Sequence, residues 1–380
     1  MATKAPDPNT LPDFDSQRLE HEAIERAHTI PSTWYVDPAF HLADRHWVFS
    51  RTWQYVGAAS NVAEPGASMR LRIAGEPILV VRDEGGVLRA FFDVCRHRGG
   101  PLVVKGERSF VLKCRYHGWT YRLDGTLRGL PKWDRVELFD ACDHGLAPIE
   151  VREWQGLVFV RTNPAPEAPS IEETFAGIPE RAGHNRLDHK RFSQRIEYVV
   201  ACNWKVYVDN YLEGYHLPHV HPELCDMLDY QAYETEVRGD WSLQASPIRA
   251  EENFYGDGEG EALYWFVFPN FMINLLPGRL QTNAVLPEGP DRCRVVFDYY
   301  YDELESEAAA RRIEEDLAYA DRVQQEDIEI CERVQEGLGS SAYDRGRFSV
   351  ECETAVHHFQ GRLKEAYREG SRGRATHAGP

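Results

Sequence analysis

The chain of 380 residues lacks several features that would place it in a membrane or on nucleic acid. No apolar run approaches the roughly eighteen residues that a membrane-spanning helix needs. The first residues, Met1 to Pro12, are polar and proline-bearing, unlike a secretory signal peptide. Positive net charge is also missing, because the formal net charge is −18, and such a surface repels the phosphates of nucleic acid. We therefore expect a cytoplasmic protein with neither membrane nor nucleic-acid partners.

The sequence also lacks an internal repeat, a low-complexity segment and a disulfide framework. Six of the eight cysteines are scattered singly, which predicts reduced thiols packed as small hydrophobic groups. These six are Cys142, Cys202, Cys225, Cys293, Cys331 and Cys352. The remaining two cysteines belong to a different pattern.

Each of these two cysteines shares a short cluster with a histidine. The clusters are Cys95-Arg96-His97 and Cys114-Arg115-Tyr116-His117, with sixteen residues between them. Two thiolates and two imidazoles can bind zinc in a closed tetrahedral site, or hold a two-iron, two-sulfur cluster of Rieske type. Zinc fingers pair cysteine with cysteine and histidine with histidine, whereas each cluster here offers one of each. The pattern favours two equivalent loops that each give one ligand to each iron, with glycines that suit tight turns.

The chain divides into an all-β part and a mixed part, so the predicted fold class is α+β. Short alternating runs and Asp-Gly turns fill residues 46–163, which predicts a small all-β module with both ligand pairs at loop tips. A proline-rich linker follows. Residues 170–370 combine aromatic-rich strands with long helices, which is typical of an antiparallel sheet gripping a helix around a small-molecule pocket. Residues 1–45 are expected to pack on this second domain, and residues 371–380 to form a poorly ordered tail.

Three histidines crowd into six residues of the second domain: His216, His219 and His221. Asp209, Glu213 and His216 are spaced four and then three residues apart, which predicts one face of a single helix. A proline then breaks the helix, so that His221 can fold back toward His216. Two imidazoles and one carboxylate form the facial triad of a non-haem Fe(II) oxygenase, with open positions for dioxygen and substrate. His219 is interpreted as structural or solvated.

The carboxylate is predicted to come from a long helix over residues 304–337. Asp327 lies within the apolar stripe of this helix, and Glu326 lies at its margin. An acidic side chain on an apolar face must be paired or metal-bound. Asp327 is therefore either a buried salt-bridge partner or the third iron ligand, and the nearby cysteine and histidine pattern favours iron. A second helix is predicted over residues 350–368.

Together, these motifs resemble the α subunits of Rieske non-haem iron oxygenases, over nearly the whole chain. The shared segments are the two cysteine-histidine loops, Asn203-Trp204-Lys205, Glu213-Gly214-Tyr215-His216-x-Pro-x-x-His221-Pro, and Glu326-Asp327 followed by Cys331-Glu332-Arg333-Val334-Gln335. The resemblance implies a Rieske domain and a catalytic domain of helix-grip type. It implies two ligand sets: Cys95, His97, Cys114 and His117 for a [2Fe–2S] cluster, and His216, His221 and Asp327 for mononuclear Fe(II).

The resemblance also implies an assembly. In this family a head-to-tail homotrimer brings the cluster of one subunit beside the iron of the next. An acidic residue three positions before the first iron-ligand histidine bridges the two sites. That residue is Glu213 here, with His117 expected across the interface, and Asp209 accompanies it as a predicted catalytic carboxylate. Many members have aspartate at this position, whereas glutamate is typical of branches that act on quaternary ammonium compounds.

The implied activity is that of a terminal oxygenase, an oxidoreductase that uses O2. Its electrons come from a ferredoxin or a flavin/iron-sulfur reductase, because no Gly-x-Gly-x-x-Gly fingerprint follows a predicted strand. NAD(P)H therefore serves only indirectly. The expected reaction is monooxygenation, as hydroxylation or N-demethylation of a compound such as choline, carnitine, glycine betaine or stachydrine. The alternative is hydroxylation or O-demethylation of an aromatic ring.

Aromatic side chains are predicted to form the substrate pocket, because their faces can hold a trimethylammonium group. The candidates are Tyr211, Trp265, Phe268 and Phe271. The same residues alternate along predicted strands, so ordinary sheet core is the other interpretation. Two rival functions remain at this point: a non-catalytic Rieske electron carrier and a zinc-stabilised ligand-binding protein.

Overall fold

The computed structural model describes residues 11–12, 16–102, 108–249 and 260–377. They form two compact units. The small unit is Ser50–Ile171, and the large unit contains the chain up to Phe49 and from Glu172 onward. The predicted α+β class is confirmed, since strands build the small unit while the large unit combines a sheet with long helices. None of the helices in the described ranges is both long and apolar enough to cross a membrane.

The small unit contains two antiparallel sheets. Its strands are β1 (Gln54–Ala58), β2 (Ser68–Ile73), β3 (Glu76–Arg82), β4 (Leu88–Phe92), β5 (Leu112–Lys113), β6 (Thr120–Tyr121), β7 (Leu127–Gly129), β8 (Pro148–Trp154) and β9 (Leu157–Arg161). Six strands pair in the order β1-β9-β8-β4-β3-β2, and three in the order β5-β6-β7. The two-residue turns Ala74-Gly75 and Gln155-Gly156 have positive φ at both positions, which matches the right-handed twist of the hairpins β2-β3 and β8-β9.

The cysteine-histidine clusters lie in the loops next to the smaller sheet. The first loop follows β4 and the second joins β5 to β6. Trp119, Tyr121 and Phe91 form part of an apolar core that also buries Cys95 and Cys114. The buried cysteine side chains therefore fix the loops to this core, and the histidines lie toward the surface.

The large unit is built on one seven-stranded antiparallel sheet. Its strands are β10 (Arg191–Val200), β11 (Glu234–Arg238), β12 (Trp241–Pro247), β13 (Glu261–Val267), β14 (Phe271–Leu276), β15 (Arg279–Gly289) and β16 (Arg292–Tyr301). They pair in the order β10-β16-β15-β14-β13-β12-β11. Aromatic-rich strands are predicted for this part of the chain, but the short, largely exposed β11 lacks that pattern, because it has little apolar alternation.

The α-helices that the structure describes all belong to the large unit, apart from the first residue of one short helix at the boundary. They are α1 (Thr33–Val36), α2 (Pro38–Ala43), α3 (Ile171–Thr174), α4 (Ile178–Ala182), α5 (Trp204–Tyr211), α6 (Leu217–Val220), α7 (Pro222–Met227), α8 (Glu307–Leu338) and α9 (Thr354–His377). Short 3-10 turns occur at Ser16–Leu19, Ala59–Val62, Ala141–His144, Leu187–His189 and Tyr230–Ala232, and a π-helical turn at Asp44–Phe49.

The long helix α8 begins where the sequence predicts it, within three residues. Its N-cap is Ser306, whose hydroxyl accepts a hydrogen bond from the N–H of Ala309 at 3.1 Å. The helix α9 extends to His377, so residues 371–377 are helical where the sequence analysis predicts a poorly ordered tail. Residues 378–380, and the first ten residues of the polar start, lie outside the described residues.

The N-terminal segment contacts α5 and α9 through buried polar groups. The hydroxyl of Tyr35 donates to Asp209 at 2.5 Å, and the N–H of Ile30 donates to the side-chain carbonyl of Gln360 at 2.8 Å. Asp44 is fully buried and accepts from Trp204 at 2.8 Å. These contacts hold in place the helix that precedes the histidine-rich segment.

Candidate metal centres and substrate cavity

The two cysteine-histidine loops have the same backbone hydrogen bonds, although their sequences differ. Each cysteine N–H donates to the carbonyl five residues further on, at 2.9 Å for Cys95 and 2.8 Å for Cys114. Each cysteine carbonyl accepts from the glycine four residues on, at 3.0 Å in both loops. These glycines, Gly99 and Gly118, have φ of 72° and 76°, a conformation that other residues rarely adopt. The predicted equivalence of the two loops is therefore visible in their backbones.

The donor atoms of the loops are arranged by type. Cys95 and Cys114 are each only 2 % exposed, whereas His117 is exposed and His97 is half-buried. The two imidazole rings lie 4.8 Å apart between centroids. The Sγ atom of Cys95 also lies 3.2 Å from the hydroxyl of Tyr121, a group that can donate to cluster sulfur.

A glycine keeps space open between the two loops. A Cβ atom added to Gly100 would lie 2.7 Å from Sγ of Cys114 and 3.1 Å from Cβ of Tyr116. Only a residue without a side chain fits there. Thiols on the inner side and imidazoles on the outer side are the donor set that a [2Fe–2S] centre with two unlike irons requires, so the residues present fit this group.

A second set of side chains that could hold a metal ion lies in the large unit. Nitrogen atoms of His216 and His221 and an oxygen of Asp327 all lie within 4.8 Å of one another. Nε2 of His221 is 2.9 Å from Oδ1 of Asp327, and Nε2 of His216 is 3.9 Å from the same oxygen. His216 precedes α6, His221 lies between α6 and α7, and Asp327 comes from α8. Two imidazoles and one carboxylate on one side of a cavity suit a non-haem iron, so these residues fit it too.

The predicted single helix through Asp209, Glu213 and His216 is wrong. The helix α5 ends at Tyr211, and beyond this end the Glu213 side chain accepts the N–H of His216 at 3.0 Å. Asp209 is thereby separated from the histidines, and its carboxylate is bound by Tyr35 and Gln360 instead. The structure brings Glu213 to the histidines but not Asp209.

Each histidine of this set has a carboxylate on its other nitrogen. Oε1 of Glu213 lies 2.7 Å from Nδ1 of His216, and Oε2 of Glu326 lies 2.6 Å from Nδ1 of His221. A carboxylate at Nδ1 keeps the proton there and leaves Nε2 for a metal. Burial lowers the pKa of His221, but the hydrogen bonds and charges of Asp327 and Glu326 outweigh burial, and the pKa is raised.

The carboxylate of Asp327 is also held by a hydrogen bond. The side-chain amide of Asn210, on α5, donates to Oδ1 of Asp327 at 2.7 Å. One turn earlier on the same helices, the hydroxyl of Tyr207 donates to the side-chain carbonyl of Gln324 at 2.6 Å. Sequence reasoning missed Asn210, Tyr207 and Gln324. Their three-residue spacing on α5 and α8 is visible in the sequence, but nothing in it indicates that the two helices meet there.

A cavity of about 140 Å³ opens beside the histidines, between the sheet and the helices α5, α6 and α8. Five tyrosines line it: Tyr207, Tyr211, Tyr233, Tyr264 and Tyr319. Its other lining groups include Glu213, the three metal-binding side chains, Gln244, Asn274, Arg279 and Gln324. Of the four predicted pocket residues, only Tyr211 is among them.

The other three predicted pocket residues belong to packed cores. Trp265 follows Tyr264 on β13, so it lies on the opposite face of the sheet. The ring of Phe271 lies 6.1 Å from that of Phe175, and the ring of Phe268 lies 6.2 Å from that of Phe359. The sequence shows the alternation along β13 but does not show which of its two faces meets the cavity.

Comparison with known proteins identifies the two types of domain that the sequence analysis expects. The Rieske [2Fe-2S] domain matches residues 52–150, and the catalytic domain of ring hydroxylating alpha subunits matches residues 187–369. The choline monooxygenase of Arabidopsis thaliana chloroplasts is 37% identical over 88% of this chain and 82% of its own length. The carnitine monooxygenase oxygenase subunit of Escherichia coli K12 is 30% identical over 95% of this chain and all of its own length.

Solved structures show the same likeness. The quaternary ammonium Rieske monooxygenase CntA with a bound inhibitor has a TM-score of 0.84 at 26% identity, and covers 94% of this chain and 100% of its own. Its complex with L-carnitine has a TM-score of 0.79 at 27% identity, and covers 94% of this chain and 99% of its own.

The fold, the two donor sets and the open cavity define an iron-dependent oxygenase. The chain belongs to the Rieske non-haem iron oxygenases, as a ring-hydroxylating-type α subunit. Its cofactors are a [2Fe–2S] cluster and a mononuclear iron, and O2 is its co-substrate. The rival interpretations as a zinc-stabilised binding protein and as a bare electron carrier are thereby set aside.

Proposed function

We propose that this chain is the oxygenase component of a system that hydroxylates or N-demethylates a quaternary ammonium compound. The observation that carries the proposal is the tyrosine-lined cavity directly beside His216, His221 and Asp327. The relatives named for choline and carnitine, similar over nearly the full chain, support it.

The chemistry of the cavity suits a cation without N–H groups. A trimethylammonium group cannot donate strong hydrogen bonds, so its recognition depends on aromatic faces and nearby negative charge. The cavity supplies the aromatic faces through its tyrosines, and the carboxylates of Glu213, Glu326 and Asp327 around the two histidines carry three formal negative charges against the two positive charges of a bound Fe(II). The hydroxyls of Tyr211 and Tyr233 are bound by Asn274 at 2.6 Å and Gln244 at 2.5 Å, which fixes two of the rings.

Positive charge in the cavity lining is neutralised. Among the described lining residues, Arg279 is the one lysine or arginine, and its Nε lies 2.8 Å from Asp316. Both side chains are buried, and the hydroxyl of Tyr301 also donates to Asp316, at 2.6 Å. A cationic substrate therefore meets an ion pair of zero net charge rather than a lone guanidinium.

The proposed cluster ligands are Cys95, His97, Cys114 and His117, and the proposed iron ligands are His216, His221 and Asp327. When bound, the cluster supplies single electrons and the mononuclear iron activates O2. Glu213 and Glu326 hold the Nδ1 protons of the two histidines, and Asn210 holds the carboxylate of Asp327. Tyrosine rings position the substrate and exclude water from the cavity.

We also propose a homotrimer in the cytoplasm, with a separate ferredoxin or flavin/iron-sulfur reductase as electron donor. A published CntA structure is described as revealing inter-subunit electron transfer. Here Glu213, which binds His216, is proposed to reach His117 of the neighbouring subunit. The exposure of His117 supports this, because an imidazole that hands electrons across an interface must lie at the surface.

The test is turnover of a substrate panel with a surrogate reductase. Choline, carnitine, glycine betaine and stachydrine are offered to the iron-loaded protein, with O2 consumption and aldehyde release as readouts. Naphthalene and vanillate serve as aromatic comparisons. We expect O2-coupled turnover of at least one quaternary ammonium compound. Turnover of the aromatic compounds without turnover of any quaternary one would overturn the proposal in favour of an arene oxygenase.

A further inference from the structure

One polar side chain of the cavity has a donor group without a partner among the residues that the structure describes. Gln324 is 2 % exposed, lies on α8 and lines the cavity. Its side-chain carbonyl accepts the hydroxyl of Tyr207, but its Nε2 has no hydrogen-bond partner among the described residues. A buried amide N–H without an acceptor is uncommon in a folded protein, and it is expected to find one in the bound state.

The direction of this amide is set by Tyr207. The buried Tyr207 hydroxyl hydrogen needs an acceptor, and Oε1 of Gln324 at 2.6 Å provides it. The Nε2 atom must then be on the other branch of the amide, where it offers N–H groups only. A ligand group that meets it must therefore be an acceptor, and in a compound whose nitrogen is quaternary and has no lone pair this means an oxygen such as a hydroxyl or a carboxylate.

The position of Gln324 relates this acceptor to the reaction centre. Gln324 lies three residues before Asp327 on α8, which is about 4.5 Å along the helix axis. Two parallel hydrogen bonds, Tyr207 to Gln324 and Asn210 to Asp327, tie this turn to α5. An oxygen bound at Gln324 is thus held about one helical turn from Asp327.

We infer that Nε2 of Gln324 binds an oxygen atom of the substrate. Gln324 is then a specificity-determining residue. This inference rests on the proposed function and adds to it. The substrate carries both a quaternary nitrogen, held by the tyrosines, and an oxygen acceptor a short chain away. Gln324 distinguishes such compounds from quaternary ammonium ions with only hydrocarbon substituents.

The experiment measures dissociation constants by calorimetry on the iron-loaded, oxidised protein, so no reductase is needed. The ligands are choline, glycine betaine and propyltrimethylammonium, which has a methyl group in place of the choline hydroxyl. The variant Gln324→Met has a similar length and no N–H group. We expect the preference of the wild type for one oxygen-bearing ligand over propyltrimethylammonium to fall roughly 3- to 10-fold in the variant, as for loss of one hydrogen bond.

The outcomes separate the inference from the proposed function. If the wild type binds none of these three ligands nor carnitine, the proposed function fails, and the inference fails with it. If the wild type binds them but the ratio of dissociation constants is the same in Gln324→Met, only the inference is overturned. Equal weakening of all three ligands shows a structural role for Gln324 and also overturns it. Loss of preference for choline assigns a hydroxyl, and loss for glycine betaine assigns a carboxylate.

Two further variants control the interpretation. Gln325→Met makes the same change at the next, exposed position of α8 and should leave every dissociation constant unchanged. Tyr207→Phe removes the hydrogen bond that orients the amide, so it should reduce the preference by a smaller factor than Gln324→Met. A full preference in Tyr207→Phe would contradict the proposed orientation of the amide.

Discussion

The two ligand sets of this chain are built in different ways. In the small unit, both cysteine-histidine pairs fall between residues 95 and 117, in loops with matching backbone hydrogen bonds. In the large unit, His221 and Asp327 are 106 residues apart and meet only because α8 packs beside the histidine-rich segment. The first set is local, and the second depends on tertiary structure. We therefore expect the cluster set to be most sensitive to replacement of its loop glycines. The iron set should be most sensitive to replacement of the side chains that meet from different helices.

The largest expected effect is on the iron set. Replacing Asp327 by Ala removes the carboxylate that lies beside both histidines and completes the proposed iron ligand set. Turnover should therefore fall below detection, while the visible spectrum of the cluster stays unchanged. The matched control is Asp321→Ala, an exposed position on α8, which should keep its activity. Turnover that survives in Asp327→Ala would show that this residue is not a ligand.

A glycine substitution in the cluster loops should impair the cluster set and leave the iron set intact. A methyl group at Gly100 would lie 2.7 Å from Sγ of Cys114, so Gly100→Ala should lose most of its cluster absorbance and acid-labile sulfide. Mononuclear iron binding in the large unit should be unaffected. Gly85→Ala, at an exposed turn of the small unit, is the control and should load normally. A fully loaded cluster in Gly100→Ala would contradict the close packing of the loops.

How well each set could be predicted from the sequence follows from the same contrast. The pairing of Cys95 with His97 and of Cys114 with His117 is readable because the ligands are neighbours in the chain. The position of Asp209 relative to the histidines could not be predicted in this way. Helical spacing alone does not show that α5 ends at Tyr211, or that Glu213 binds the N–H of His216 beyond that end. Of the two interpretations of Trp265, Phe268 and Phe271, the structure supports packed core rather than pocket, and the sequence cannot decide between them because it does not show which residues meet the cavity.

A smaller effect is expected from Glu326, which holds the far side of His221 at 2.6 Å. Glu326→Gln replaces the charged acceptor by a neutral one and should weaken Fe(II) binding by about 10- to 100-fold, as is typical for such partners of metal-bound histidine. The measurement is anaerobic competition with a chelator. Glu329→Gln, at an exposed position one turn further along α8, should not change the affinity. Equal affinities in the two variants would show that Glu326 does not position His221.

The smallest effect concerns Asp209, the carboxylate that the structure separates from the iron set. Burial raises its pKa to about 7, although hydrogen bonds from Tyr35 and Gln360 oppose the rise. A raised carboxyl pKa means that the folded protein keeps a proton that the unfolded chain has lost. The contribution of protonated Asp209 to the free energy of unfolding is therefore complete below pH 3.8, the ordinary pKa of the group. It is lost as the pH rises through the folded-state pKa of about 7.

Asp209→Asn removes this titration while it keeps the shape of the side chain. The melting temperature of the variant minus that of the wild type should increase by roughly 2 to 4 °C when the pH is raised from 5.5 to 7.5. Asp291→Asn, at an exposed turn, is the control and should follow the wild type at every pH. Parallel melting curves for Asp209→Asn and the wild type would contradict a protonated Asp209.

The most direct test of the two-centre account is the content of iron and acid-labile sulfide in the anaerobically purified protein, together with its electron paramagnetic resonance spectrum after reduction with dithionite. The account predicts three irons and two sulfides per chain, with the rhombic signal of a reduced cluster that has two cysteine and two histidine ligands. Iron without sulfide, or zinc in place of both, would contradict it.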